Sequence, residues 1–264
     1  MKRFFNTFLS DMKRSMFSWT FFLAVFGIVL IKIPGLWTDL QHYQDLNVLY
    51  FYNYGLSEGI FNVYYLLCAL PCASLFLRDW NRSYYRPLVI RTGKEVFGIS
   101  KILTCIIVPI CAIFLAEIIF VGALSLICPL IDPDRISGTY ENLMTNGTFG
   151  PFLKNGFWPF FLVTSTLEAL SGAFFTVCAL YISTIIPNVF VVLAAPLLCQ
   201  YYFSAFTGLF SPPTWLDISC VATGQFVFGD EKSSFLYGIT FFTFLITVVG
   251  ILFMRKFKRK MQNA

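Results

Sequence analysis

Long stretches without charge alternate with clusters of basic residues along the whole chain. Three runs of 17, 19 and 22 residues carry no charge at all, and two longer stretches carry a single glutamate each. The uncharged runs are 15–31, 59–77 and 233–254, and the stretches with one glutamate are 102–131 and 155–216. A hydrocarbon core about 30 Å thick is crossed by about 20 apolar residues, so the first four predict one transmembrane helix each. The last predicts two helices, divided at Pro187-Asn188.

The pattern therefore predicts an all-α membrane protein with six transmembrane helices. The predicted spans are 17–33, 59–77, 96–128, 157–186, 189–210 and 233–254. Residues 1–16 are different, because at helical spacing Phe4, Phe8 and Met12 share one face and basic residues lie opposite. Such a helix is typical of the headgroup plane. The predicted organisation is thus an amphipathic helix over 1–16, a transmembrane domain over 17–255 that includes a basic loop at 78–101, and a basic tail over 256–264.

The distribution of charge predicts the orientation of these spans. If both termini lie on one side of the membrane, that side carries 15 of the 19 basic residues and three acidic residues. The other side carries four basic and nine acidic residues. Because basic flanks remain cytoplasmic, both termini and the loop 78–101 are predicted to be inside. The net charge of +5 is then explained by anionic lipid and gives no reason to expect a nucleic acid partner.

Sequence motifs for an enzyme are missing from this chain. Gly93-Lys94 is followed by Glu95, and Leu88 stands where the first glycine of a P-loop would be, so ATP is not bound by that motif. The single histidine, His42, lies in a predicted outside loop, which disfavours hydrolase dyads. Eight scattered cysteines without a second ligand type give no metal site. We therefore predict no catalytic residue, no metal and no bound cofactor.

Two glutamates, Glu117 and Glu168, fall inside predicted spans. The basic residues within those spans, Lys32 and Lys101, stand near span ends and are counted with the charges on either side of the membrane, so no cationic partner is expected for the glutamates. A charge at the membrane centre costs about 2.5–3.5 kcal/mol on insertion scales, so such residues usually face a cavity or a partner. At 1.5 Å per residue, Glu168 lies about 16 Å into its span, near the midplane. Two interpretations remain open: a polar feature of a transport pathway, or a hydrogen-bonded carboxyl that holds two helices together.

The layout of the chain resembles the permease subunits of type-2 ABC exporters. In that family an amphipathic connecting helix precedes the first span, and a short intracellular segment after the second span contacts the ATPase. The residues that resemble this segment are Phe76, Asp79, Leu88, Arg91, Lys94 and Ser100-Lys101. The family usually has Glu and then Gly-Thr where the second span ends, whereas this chain has Asp79 and Asn81-Arg82-Ser83.

The resemblance implies a permease in a bacterial plasma membrane that works with a second permease chain and two cytoplasmic ATPase subunits. Those subunits would bind ATP and Mg, so the chain itself would not be an enzyme. The implied docking residues are Asp79, Arg82, Arg86, Arg91 and Lys94. The high phenylalanine content favours export of a hydrophobic or amphipathic substrate such as a peptide or drug. The alternatives are a membrane immunity or assembly factor that does not transport, and a membrane enzyme acting on lipid.

Overall fold

The computed structural model describes residues 2–55, 61–73, 75–81, 84–132 and 138–262. Within these ranges the regular structure is entirely helical. Four helices in the described residues are long and apolar enough to cross a membrane. They are α7 (Lys94–Ser125), α9 (Phe157–Ile185), α10 (Val189–Phe210) and α12 (Glu231–Gln262). The protein is therefore an all-α membrane protein with several membrane-crossing helices.

Four 3₁₀-helices occur in the described residues, at Pro34–Leu36, Asp39–Asp45, Gly150–Asn155 and Thr214–Leu216. Eight shorter α-helices complete the helical structure of the described part of the chain. They are α1 (Lys2–Met16), α2 (Trp19–Lys32), α3 (Val48–Tyr54), α4 (Phe61–Ala69), α5 (Leu75–Asn81), α6 (Tyr85–Thr92), α8 (Thr139–Asn146) and α11 (Ile218–Thr223). The helix α2 begins after Ser18, whose hydroxyl caps the backbone N–H of Phe21. It is bent by 55° relative to α1.

The long helix α9 forms the centre of the bundle. Its most apolar 18-residue stretch is 83% buried, against 22% for the corresponding stretch of α10 or α12. Small residues let the neighbours approach closely: a Cβ added at Gly172 would lie 2.6 Å from the Ile113 side chain of α7. The other three long helices and α4 pack around α9.

The first and last helices lie at the same end of the bundle. Lys101, close to the start of α7, contacts α1, and Lys258, close to the end of α12, pairs with Glu95 at 2.7 Å. We call this the basic end, because the basic residues of α1, α6 and α12 are gathered there. The opposite end contains α3, α8 and residues 147–156, which follow α8.

The last four predicted spans coincide with the four long helices, but the first two do not have the predicted form. The helix α2 has only 14 residues, which makes it about 21 Å long. The second span is divided into α4 and α5, with turns at 70–73 around Pro71, because proline cannot donate to the helical hydrogen-bond ladder. Six membrane-crossing helices are therefore not established by helix length. The basic residues predicted as a tail continue α12 as far as Gln262.

Candidate functional site

A compact group of charges joins α1, α5 and α7 at the basic end; we call it the charge cluster. It consists of Asp11, Arg14, Asp79 and Lys101. The ammonium group of Lys101 donates to Asp11 at 2.7 Å and to Asp79 at 2.6 Å. The guanidinium of Arg14 donates to the other oxygen of Asp79 at 2.9 Å. The three side chains other than Arg14 are almost completely buried.

The charge cluster is balanced, with two acidic and two basic groups. Ser100 completes it by donating a hydrogen bond of 2.8 Å to the second carboxylate oxygen of Asp11. A buried ion pair is tolerated when good geometry and extra hydrogen bonds satisfy each charge, which is the case here. The cluster therefore fixes α1 and α5 to α7. No sequence signal pointed to this role of Asp11, because its partner Lys101 lies 90 residues away in the chain.

The structure separates the predicted docking residues into buried and exposed ones. Asp79 is 2% exposed and faces α1 and α7. Arg91 and Lys94 are exposed, at the end of α6 and the start of α7. Arg82 lies outside the described residues, as does the side chain of Arg86.

The helix α6 and the residue before it expose two large side chains at the basic end. Ile90 is 84% exposed and Tyr84, which precedes the helix, is 51% exposed. Gly93 ends α6 with φ of 89°, a conformation that other residues rarely adopt, and α7 starts at the next residue. The sharp turn presents Ile90, Arg91 and Lys94 on one short segment.

A second buried ion pair lies on the same helix α7, about 24 Å from Lys101. Lys32, the last residue of α2, donates to both carboxylate oxygens of Glu117 at 2.5 and 2.6 Å. Both side chains are at most 1% exposed, and the ammonium lies 5.4 and 5.0 Å from the ring centres of Tyr52 and Phe120. The expectation that Glu117 lacks a cationic partner is therefore wrong. It failed because Lys32, at the end of the predicted span 17–33, was counted among the charges outside the membrane.

A cavity of about 560 Å³ lies at the end opposite to the basic end; we call it the aromatic cavity. Its lining comes from α3, α8, α9 and residues 147–149, 214 and 223–227. The segments that connect α8 to α9 and α10 to α12 thus fold over the bundle and form part of the cavity wall. The packing depends on Gly224, where a Cβ would lie 2.7 Å from the ring of Phe149.

Glu168 reaches the aromatic cavity from α9 and is 8% exposed. Among the described residues, its Oε2 atom has no hydrogen-bond partner. Thr164, one helical turn away on α9, also lines the cavity and contacts the hydroxyl of Tyr52 at 2.8 Å. The two predicted pathway residues therefore differ: Glu117 is paired, while Glu168 has an oxygen without a partner beside an open volume.

Among the described residues we identify no set of side chains arranged for covalent chemistry. Groups of three or more possible metal ligands are likewise missing from those residues. Compared with models of protein families, with curated proteins and with solved structures, the chain matches none of them.

Proposed function

We propose that this chain is the permease subunit of an ATP-driven ABC transporter, with six membrane spans and both termini in the cytoplasm. In this proposal α2 forms the first span, and α4 with α5 forms the second as a broken helix. Broken helices are tolerated in membranes where neighbouring helices satisfy the freed backbone groups. The basic end would face the cytoplasm, because basic residues are retained on that side.

The observation that carries the proposal is the exposed segment formed by α6 and the start of α7. Ile90 is 84% exposed and stands beside the exposed basic residues Arg91 and Lys94, on the side of the bundle that the charge distribution assigns to the cytoplasm. An exposed apolar side chain with a polar rim is typical of a docking site for another protein. The charge cluster supports this role, since it ties α5 to α1 and α7 through Asp79.

This arrangement suggests how ATP hydrolysis would be coupled to movement in the membrane. A push on α6 would pass to α7 directly and to α1 through Asp79 and Lys101, whose bonds hold the three elements together. Two permease chains and two ATPase subunits would then change between inward- and outward-facing states by rigid-body movement. The proposed cargo is hydrophobic or amphipathic, a peptide or a drug-like molecule, and the proposed location is a bacterial plasma membrane.

The test is co-purification of the tagged full chain with an ATPase from its native membranes. We expect a protein with an ATP-binding cassette, identified by its peptide masses, and ATP hydrolysis in the purified complex. The variant I90D/R91E/K94E should lower the recovered ATPase by about tenfold or more, because reversed charges at a docking surface repel the partner.

The matched control is Lys256→Glu, a charge reversal on the exposed part of α12 at the same end of the bundle. It should leave recovery of the ATPase unchanged. A chain that purifies without any cassette ATPase contradicts the proposal and favours a membrane factor that does not transport.

A further inference from the structure

The lining of the aromatic cavity contains a carboxyl group with an oxygen that has no hydrogen-bond partner among the described residues. Lys32 is engaged by both oxygens of Glu117 at 2.5 and 2.6 Å, so its charge is already matched. Glu168 is left with an unpartnered oxygen, although its side chain is more than nine-tenths buried. A buried charge is retained in a membrane protein where it has a partner or a functional cavity.

The walls of the cavity restrict what that partner can be. Aromatic side chains from three parts of the chain line it: Tyr52 and Tyr54 on α3, Phe160 on α9, and Phe149 and Phe226 in the covering segments. Such rings favour apolar and aromatic bodies, and their faces attract cations. Asn142 and Asn146 add amide groups from α8. A volume of about 560 Å³ is in the range of sites for small organic molecules.

We propose that the aromatic cavity binds an organic cation with an apolar body, and that its ammonium or guanidinium group pairs with Glu168. The apolar body would lie against Phe160 and the rings of the covering segments. An inorganic ion fits less well, because Ca²⁺ takes six to eight oxygen ligands and Mg²⁺ an octahedral set, whereas a single carboxylate is offered here. The inference goes beyond the proposed function, since binding is expected whether or not an ATPase partner exists.

The test uses the purified full chain in nanodiscs of zwitterionic phosphatidylcholine, without nucleotide or ATPase. The probe is monodansylcadaverine, which carries a primary ammonium group on an apolar arm with a fluorescent naphthalene ring. Its N-acetylated derivative has the same ring and nearly the same arm but no charge. We expect saturable binding of the charged probe, and binding of the neutral one weaker by about tenfold or more, because a buried charge pair is lost.

Two variants locate the pairing group. Glu168→Gln keeps the size of the side chain and should weaken binding of the charged probe by about tenfold or more, to the level of the neutral probe. Glu141→Gln makes the same chemical change at an exposed position of α8, next to the cavity-lining Asn142, and should leave binding unchanged. Melting curves of both variants verify that they are folded.

Three results would overturn the inference: no saturable binding of the charged probe, equal affinity for both probes, or unchanged binding by E168Q. The comparison of the two probes needs only the wild-type chain, so it holds even if E168Q fails to fold. Because the assay contains no ATPase, its failure leaves the transport proposal standing. Conversely, a chain without an ATPase partner can still bind the probe.

Discussion

The helix α7 carries buried charges at two levels about 24 Å apart, and the two surroundings differ. At Lys101, two carboxylates meet two basic groups, and a serine hydroxyl adds a further hydrogen bond. At Glu117, one lysine is matched by one carboxylate, and a second carboxylate, Glu168, has an oxygen without a partner among the described residues.

Burial alone therefore does not show whether a charged residue has a structural role or binds a ligand. A charge-balanced group whose hydrogen bonds are satisfied holds helices together and has no free donor or acceptor for a ligand. A group with an unmatched charge beside an open volume is a candidate for binding. The charge cluster is therefore interpreted as structural, the Lys32–Glu117 pair as a brace, and Glu168 as the residue available to a ligand.

The largest effect is expected when the centre of the charge cluster is removed. Lys101→Met leaves Asp11 and Asp79 buried with too little positive charge, which should lower the free energy of unfolding by about 3–5 kcal/mol. For a chain of this size, that corresponds to a fall of about 10 °C in the melting temperature in detergent.

Two further variants test whether the loss comes from buried charge. Lys258→Met removes an exposed pair and should have no measurable effect on melting. Adding Asp11→Asn to Lys101→Met should recover part of the loss, because Asp79 and Arg14 then remain as a neutral ion pair. If K101M and K258M melt alike, the cluster is not a structural lock.

A smaller loss is expected from Glu117→Gln, which leaves the ammonium group of Lys32 buried without its counter-charge. The rings of Tyr52 and Phe120 remain near that ammonium, so the cost should be about 3 kcal/mol, at the low end for a broken buried pair. The melting temperature of the double variant K32M/E117L tests whether the uncompensated charge of Lys32 causes the loss. Because both charges are then replaced by apolar side chains, most of the stability should be restored. A double variant less stable than E117Q contradicts the assignment as a charge pair.

The smallest effect on stability is expected from Glu168→Gln. Because Oε2 of Glu168 has no partner among the described residues, the amide should change the free energy of unfolding by less than about 1 kcal/mol. The same melting assay in the absence of ligand measures this. A loss as large as that of E117Q would show that Glu168 is held in the structure, and the contrast between the two levels of α7 would disappear.

Much of the fold could be predicted from the spacing of charges and prolines. The helices α9 and α10 have the predicted boundaries to within a residue, because Pro187-Asn188 separates two apolar runs of sufficient length. The second span was predicted as one helix over 59–77 with a kink at Pro71, whereas the structure has two separate helices there, α4 and α5. Proline lowers the stability of a helix, but whether the helix bends or ends is decided by the neighbours that receive the freed backbone groups.

The site was predictable only in part, because its decisive contacts join distant positions. Lys32 and Glu117 are 85 residues apart, and nothing local to either indicates the other. One signal was available: the apolar run before Lys32 is short for a span, so its terminal lysine lies within reach of a glutamate at similar depth. The cavity could not be predicted, since it arises from the folding of α3, α8 and residues 223–227 over the bundle.

The short helix α2 has a consequence for the lipid beside it. Its exposed face is apolar, with Leu23, Phe26 and Leu30 each about 60% exposed, as expected of a surface in contact with acyl chains. The helix is about 21 Å long, whereas the hydrocarbon core is about 30 Å thick, and its buried final residue, Lys32, cannot move outward to the headgroups without leaving Glu117. If α2 is a membrane span, the bilayer along this wall becomes thinner, at a cost of fractions of a kcal/mol per Å of mismatch. The acyl-chain length of the lipid would then affect the stability of the Lys32–Glu117 ion pair, which also holds α2 to the bundle.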